Sequence, residues 1–312
     1  MSDLMIDASR ITKSFGEVTA LDGVDLRVPK GTVTALLGHN GAGKTTLVNV
    51  LSTVLPPDGG KALVAGYDVT THGHEVRSRI GLTGQFASID EQLTGFQNLV
   101  LIARLLGATK QQAAERATEL LALFDLTDAG DRKASTYSGG MKRRLDLAAS
   151  LVGHPDVVFL DEPTTGLDPS ARLALWEIVE RLVDDGTTVL LTTQYLEEAD
   201  RLANSITVMS KGRVVATGTP AELKAMIGQR TVAITLSRSS DVTAAVDSLR
   251  RAGFQPLQDG DSATLSIPVP AADALATVVR ALDEAGAEIA ELGLHEPTLD
   301  DVYLTLTHQT AA

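Results

Sequence analysis

The sequence predicts an α/β protein: a mainly parallel sheet covered by helices, with an antiparallel β edge, an all-helical insert and a second, smaller α+β domain. Three observations lead there. Short, nearly continuous apolar runs at Val33–Leu37, Val157–Leu160 and Thr188–Leu191 suit strands buried on both faces, and a helical pattern at Ser170–Val183 lies between the last two. From Leu93 to about Asp131 the apolar spacing is helical throughout. Beyond residue 228 the pattern turns to strand-helix-strand-strand-helix-strand, with no long apolar run.

Taken in order, Ile6–Phe15 and Val24–Val28 alternate apolar and polar side chains, as half-buried antiparallel strands do. Val33–Leu37 ends at Gly38, and the glycine-rich loop that follows runs into a helix over Thr46–Leu51. Pro56-Pro57-Asp58-Gly59-Gly60 is a turn, after which Lys61–Ala65 returns as a strand. Leu99, Ile102, Ala103, Leu105 and Leu106, then Ala113, Ala117, Leu120, Leu121 and Phe124, mark a helical subdomain over about 86–153. Gly218-Thr219-Pro220 opens a short helix that Gly228 closes, so the expected domains are 1–228 and 229–312.

The second domain reads as strand 231–237, helix 241–252, strands 254–258 and 262–268, helix 271–285 and strand 287–293, a split βαβ unit of ferredoxin-like type. A last helix starts near Pro297-Thr298, with Thr298 and Asp301 spaced as a capping box. Leu299, Val302, Tyr303 and Leu306 form one apolar stripe on it. That stripe favours a dimer-stabilising or regulatory role for the domain, with small-ligand binding as the alternative.

Composition narrows the functions. The formal net charge is -13, roughly half of it beyond residue 229, which argues against a basic nucleic-acid face and fits a solvated acidic surface. With no cysteine, disulfides, thiolate metal sites and cysteine nucleophiles are excluded. His72 and His74 sit in a Thr/Gly-rich turn, where a solvated loop is the favoured reading over a metal site. No apolar run approaches the ~18 residues of a membrane helix, and no leader pattern opens the chain, so the expectation is a cytoplasmic protein.

Gly38-His39-Asn40-Gly41-Ala42-Gly43-Lys44-Thr45 has the full Walker A spacing between a buried strand and a helix, with Thr46 continuing into that helix. Glycines let backbone N–H groups converge on phosphate oxygens, and the helix N-terminus favours the anion. Lys44 is placed to bridge β- and γ-phosphates, and the Thr45 hydroxyl to ligate Mg²⁺. Val157-Val158-Phe159-Leu160-Asp161-Glu162 delivers two carboxylates at the end of a buried strand, Asp161 for Mg²⁺ and Glu162 as the base that polarises an attacking water. These elements together predict a P-loop NTPase core.

Tyr137-Ser138-Gly139-Gly140-Met141 opens a helix just upstream of that acidic pair. This ordered set resembles the ATP-binding-cassette ATPases over roughly residues 4–228. The resemblance implies further roles. Gln85 matches the glutamine that reaches Mg²⁺ and the attacking water. Phe15 matches the aromatic that stacks on adenine, with a core phenylalanine as its rival reading. Ser138, Gly139 and Gly140 match the signature that caps ATP held by a partner subunit, and Asp168, in Gly166-Leu167-Asp168, matches the interface loop. Gln194, in Thr192-Thr193-Gln194-Tyr195, stands where most members carry a histidine; an amide can donate to the γ-phosphate but cannot carry charge.

Gln194 and the Glu296–Tyr303 element narrow the resemblance to the daunorubicin-resistance branch of drug-exporter ATPases. That branch implies an ATPase using ATP and Mg²⁺, a homodimer of ATPase subunits closing head to tail on ATP, and a separate integral-membrane permease. The permease would hold the chain on the inner face of the cell membrane and carry hydrophobic drug-like or lipid-like compounds. The alternative is a soluble cassette ATPase of DNA repair or translation. A single cassette, no sustained heptads and no zinc-binding cysteine count against it.

Overall fold

The computed structural model describes residues 4–83, 89–227, 230–258, 263–269, 274–295 and 298–303. The chain divides into two compact units, 1–220 and 221–312. The division falls earlier than the expected 228 because the short helix after Pro220 is counted with the second unit.

The first unit contains two sheets. β1 (Leu4–Phe15), β2 (Val18–Pro29), β4 (Gly59–Val64) and β5 (Tyr67–Asp68) form an antiparallel sheet in the order β2-β1-β4-β5. β2 begins earlier than the expected Val24, because Phe15 pairs with Val18 and the hairpin closes almost at once. The second sheet has the order β10-β9-β3-β8-β7-β6, from β3 (Val33–Leu37), β6 (Ile80–Thr83), β7 (Val157–Asp161), β8 (Thr188–Thr193), β9 (Ser205–Ser210) and β10 (Arg213–Gly218). Its pairings are parallel except β9 with β10.

Every residue of β3, β7 and β8 is buried, and the alternation of side chains separates two cores. Val157 and Phe159 of β7 and Leu190 of β8 join a cluster with the antiparallel sheet and the helix α1 (Lys44–Leu51). Val158, Leu160, Val189 and Leu191 face the other way, into a cluster with the helical subdomain. Strands covered on both faces explain why these segments read as continuous apolar runs. β6, β9 and β10 escape the sequence reading because Gly, Thr and Ser interrupt their apolar residues.

α2 (Gly73–Arg77) is a short helix leading to β6. The subdomain is built from α3 (Gly95–Leu105), α4 (Lys110–Leu123) and α5 (Gly139–Ser150). Thr94 with Gln97 and Thr109 with Gln112 make complete capping boxes at the starts of α3 and α4. Leu99, Ala103, Ala113, Ala117, Leu120, Leu121 and Phe124 of the expected stripe are buried, whereas Leu105 and Leu106, at the end of α3, are exposed. α6 (Pro169–Asp184) and α7 (Leu196–Leu202) complete the unit.

The second unit follows α8 (Pro220–Ile227) with β11 (Arg230–Leu236), α9 (Val242–Arg251), β12 (Leu257–Gln258), β13 (Thr264–Val269), α10 (Ala274–Glu284) and β14 (Ile289–His295). Its sheet is antiparallel in the order β12-β13-β11-β14, the ferredoxin-like arrangement read from the sequence. Val232, Ile234, Leu249, Leu265, Ile267 and Leu282 form its core. β12 is shorter than the expected 254–258. Thr298 and Asp301 exchange the hydrogen bonds of a capping box, at 2.8, 2.9 and 3.3 Å, and Leu299, Val302 and Tyr303 behind it are buried. Leu306 lies outside the described residues.

Candidate active site

β3, β8 and β7 are neighbouring parallel strands, so Gly38, Gln194 and Glu162 leave the sheet at the same carboxyl-end edge. The Gly38 amide donates to the Thr193 carbonyl at 3.3 Å, fixing the root of the loop. Two glycines are required by close approach. A Cβ at Gly38 would lie 2.6 Å from the Met209 carbonyl oxygen. One at Gly43, where φ is +102°, would lie 2.6 Å from that of Ala20. α1 then begins without a side-chain cap and without an acidic residue in its first turn, so its leading N–H groups are suited to receive an anion.

Lys44 is buried, and its ammonium donates to the carbonyls of Gly38 at 2.6 Å and His39 at 3.3 Å. It also lies 3.4 Å from Glu162 Oε1. Asp161 is buried at the end of β7 and accepts from two hydroxyls, Thr192 Oγ1 and, at 3.3 Å, Thr45 Oγ1. Glu162 sits in the left-handed region, φ +48°, a conformation costing a non-glycine residue about 1–3 kcal/mol. It is held there because its amide donates to both Thr192 O and Thr192 Oγ1 at 3.1 Å, while Thr165 Oγ1 donates to Oε2 at 3.3 Å.

A cavity of about 440 Å³ is lined by residues 39–46 together with Phe15, Val18, Thr19, Ala20 and Glu162. Phe15 is 49% exposed there, so it is no core residue, and the Lys13 ammonium lies 5.8 Å from its ring centre. A second cavity of about 450 Å³ lies under the start of α5, bounded by Gly139, Arg143, Asp161, Glu162 and Thr165 among others. Glu162 lines both.

Ser138 caps α5 by accepting from the Met141 amide at 3.2 Å, and Ser138 and Gly139 are exposed. Gly140 is less open, since a Cβ there would sit 3.1 Å from that of Ala171. Tyr137 is buried and donates to the Ala129 carbonyl at 2.6 Å. Gly95 makes room for it: a Cβ there would be 2.2 Å from the phenol oxygen. Asp168 is exposed and caps α6. Its carboxylate accepts from Ser170 Oγ at 2.7 Å and the Ala171 amide at 2.9 Å, bonds that hold it below the usual carboxylate range. Gln194 is half-buried just past β8 and lines neither cavity. Gln85 lies outside the described residues.

Two residues with clear places in the site carry no role in the sequence reading. Thr192 holds both Asp161 and the Glu162 backbone. Arg143, on α5, donates from Nε to the Pro163 carbonyl at 2.7 Å and from Nη2 to the Asp161 carbonyl at 3.1 Å. The only signal for either is its place beside a motif residue, Thr192 two before Gln194 and Arg143 three after Gly140.

The donor set suits Mg²⁺. Among the described residues no group of three or more His, Cys, Asp or Glu converges on a cation position. One carboxylate, Asp161, and one hydroxyl, Thr45, stand side by side, which is what a hard cation completed by phosphate oxygens and water requires.

A phosphate loop, a carboxylate pair at the end of the strand one removed from it, and a Ser-Gly-Gly helix start in one α/β unit define an ATP-binding-cassette ATPase. Residues 21–165 match the ABC transporter family, and residues 218–307 match the ATP-binding protein DrrA1-3-like, C-terminal domain. The daunorubicin resistance ATP-binding protein DrrA2 of Streptomyces coeruleorubidus is 51% identical over 313 residues, covering 99% of this chain and 97% of that one. The doxorubicin resistance ATP-binding protein DrrA of Mycobacterium tuberculosis is 44% identical over 308 residues, with 97% and 93% covered. The Nod factor export ATP-binding protein I of Paraburkholderia xenovorans is 40% identical over 223 residues, 72% of this chain and 73% of that one. Among solved structures, the ADP conformation of an ATP-binding cassette of an ABC transporter is 28% identical with a TM-score of 0.65, covering 70% of this chain and 92% of that one. The cbiO1 subunit of the Clostridium perfringens cbiONQ transporter gives 26% and 0.67, with 72% and 91% covered. The chain belongs to the daunorubicin-resistance (DrrA) family of ABC transporter ATP-binding proteins, and it binds and hydrolyses ATP.

Proposed function

We propose that this chain is the ATPase of an exporter for hydrophobic drug-like or lipid-like compounds, acting as a head-to-tail homodimer beneath a separate membrane permease. The full-length likeness to resistance proteins, second domain included, supports the exporter reading over a soluble cassette of DNA repair or translation. No described helix is long and apolar enough to cross a membrane. With a net charge of -13, nucleic acid is not the expected partner.

Adenine stacks on Phe15, and the phosphates lie along residues 38–46 with Lys44 turning from the loop carbonyls to the β- and γ-phosphates. Thr45 and Asp161 would hold Mg²⁺, which when bound offsets phosphate charge. Glu162 takes a proton from the attacking water, and Gln85 and Gln194 contribute hydrogen bonds at the γ-phosphate. Asp168 contributes to the subunit interface, and the second domain stabilises or regulates the dimer.

One observation carries the dimer. Ser138 and Gly139 are exposed at a helix start, yet no residue of 138–140 lines the phosphate-loop cavity, which leaves the capping to a second subunit. The test uses tagged Glu162→Gln, which removes the base and holds the closed dimer. Membranes of the native host are solubilised with ATP and Mg²⁺, and captured proteins are identified by mass spectrometry. A polytopic membrane protein at about one-to-one ratio is the expected result. Recovery only in the soluble fraction overturns the exporter reading.

A further inference from the structure

Arg143 lies on the helix that presents Ser138 and Gly139, and its guanidinium holds the carbonyls of Asp161 and Pro163, one on each side of Glu162. It also pairs with Asp146 at 3.4 Å, a carboxylate whose side chain is 2% exposed while that of Arg143 is 17% exposed. A planar fork is suited to this, because its five donors leave in fixed directions and bind several acceptors without rearranging. Glu162 benefits from such support, since it is strained at φ +48° and, among the described residues, its amide is tied to Thr192 alone.

The geometry points to Arg143 as a positioning residue that couples the two ATP sites of the dimer: it links the helix capping one nucleotide to the backbone of the base that hydrolyses the other. This rests on the head-to-tail reading above. When α5 engages ATP on the partner, its displacement is transmitted through one rigid side chain to Asp161 and Pro163. The Glu162 carboxylate is set best when both nucleotides are in place, and works more slowly and without cooperativity when one is not. Linkage makes the effect reciprocal, so each site favours the closed state of the other. Burial pulls the guanidinium down from its ordinary value, opposed in part by the nearby carboxylates of Asp146, Asp161 and Glu198.

The test compares full-length Arg143→Met with the double variant Arg143→Met/Asp146→Leu, which also removes the buried carboxylate on the other side of this ion pair. Wild-type turnover is expected to be sigmoidal in ATP. Both variants are expected to lose the sigmoid and about tenfold or more in kcat, with KM for ATP within about twofold of wild type. Free guanidinium at low concentration is expected to restore part of the turnover of Arg143→Ala. Unchanged kcat and cooperativity in either variant overturns the inference. So does a parallel loss of folding stability and ATP affinity in both, which marks a purely structural arginine. Failure of Glu162→Gln alone to dimerise on ATP sinks the head-to-tail reading itself, and the coupling with it.

Discussion

Thr192→Val is the substitution whose consequences follow most directly from the site. Thr192 is fully buried, and valine keeps its shape while removing one oxygen. That oxygen donates to Asp161 Oδ1 and shares the Glu162 amide with the Thr192 carbonyl, which remains at 3.1 Å. A hydrogen bond to a charged acceptor contributes about 1.5–3 kcal/mol, and weakening the second contact adds a fraction of a neutral bond. The expected loss of stability is therefore about 2–4 kcal/mol. If about 2 kcal/mol of it is felt at the transition state, through a misplaced Asp161 and a loosened Glu162, kcat falls about 30-fold. Trp176, the single tryptophan, lies in α6 of the first unit, so its fluorescence during urea unfolding reports on that unit alone. Turnover is measured in parallel with Mg²⁺ varied. A stability change under about 0.5 kcal/mol with unchanged kcat would refute the reasoning, because the hydroxyl would then hold neither carboxylate in place.

Three further outcomes are expected. Phe15→Ala raises KM for ATP by about tenfold with kcat retained, since aromatic stacking on a base contributes about 1–3 kcal/mol equally in ground and transition states; steady-state kinetics decides it. Gly43→Ala abolishes nucleotide binding in calorimetry and lowers stability by about 2 kcal/mol or more, from strain at positive φ and the clash with the Ala20 carbonyl. Glu198 is buried against the Trp176 indole, which donates to it at 3.1 Å, and burial lifts its carboxyl above the ordinary glutamate value of 4.5. The folded state thus holds this proton more tightly than the unfolded chain does. The group's stabilisation is full below 4.5 and fades as pH rises through the folded value. Glu198→Gln cannot titrate, so its unfolding free energy declines less between pH 4.5 and neutrality than that of wild type.

Much of this could be read from the chain because the residues concerned answer to local rules. β3, β7 and β8 are buried on both faces and so appear as unbroken apolar runs. The capping box at Thr298 and Asp301 is a spacing of three, visible in the letters alone. The order of elements in the second unit was legible for the same reason, each helix and strand carrying its own period. What stayed hidden depends on contacts between distant segments. Thr192 ends an apolar strand and looks like packing, yet its partners lie 30 and 31 residues away. Arg143 is one of several cations after the glycines, and only the fold brings its fork to Asp161 and Pro163. The exposure of Phe15 depends on how the β1–β2 hairpin sits over the loop, and Tyr137 is explained only by the space at Gly95.

The central claim is that each ATP is hydrolysed between the phosphate loop of one subunit and Ser138-Gly139-Gly140 of another. The most direct measurement mixes two inactive full-length proteins, Lys44→Ala and Ser138→Arg, and follows phosphate release. In a mixed head-to-tail dimer one site carries both lesions and the other carries neither. The account predicts that the mixture recovers turnover that neither protein has alone, rising with the proportion of mixed dimers. A mixture as inactive as its components would contradict it.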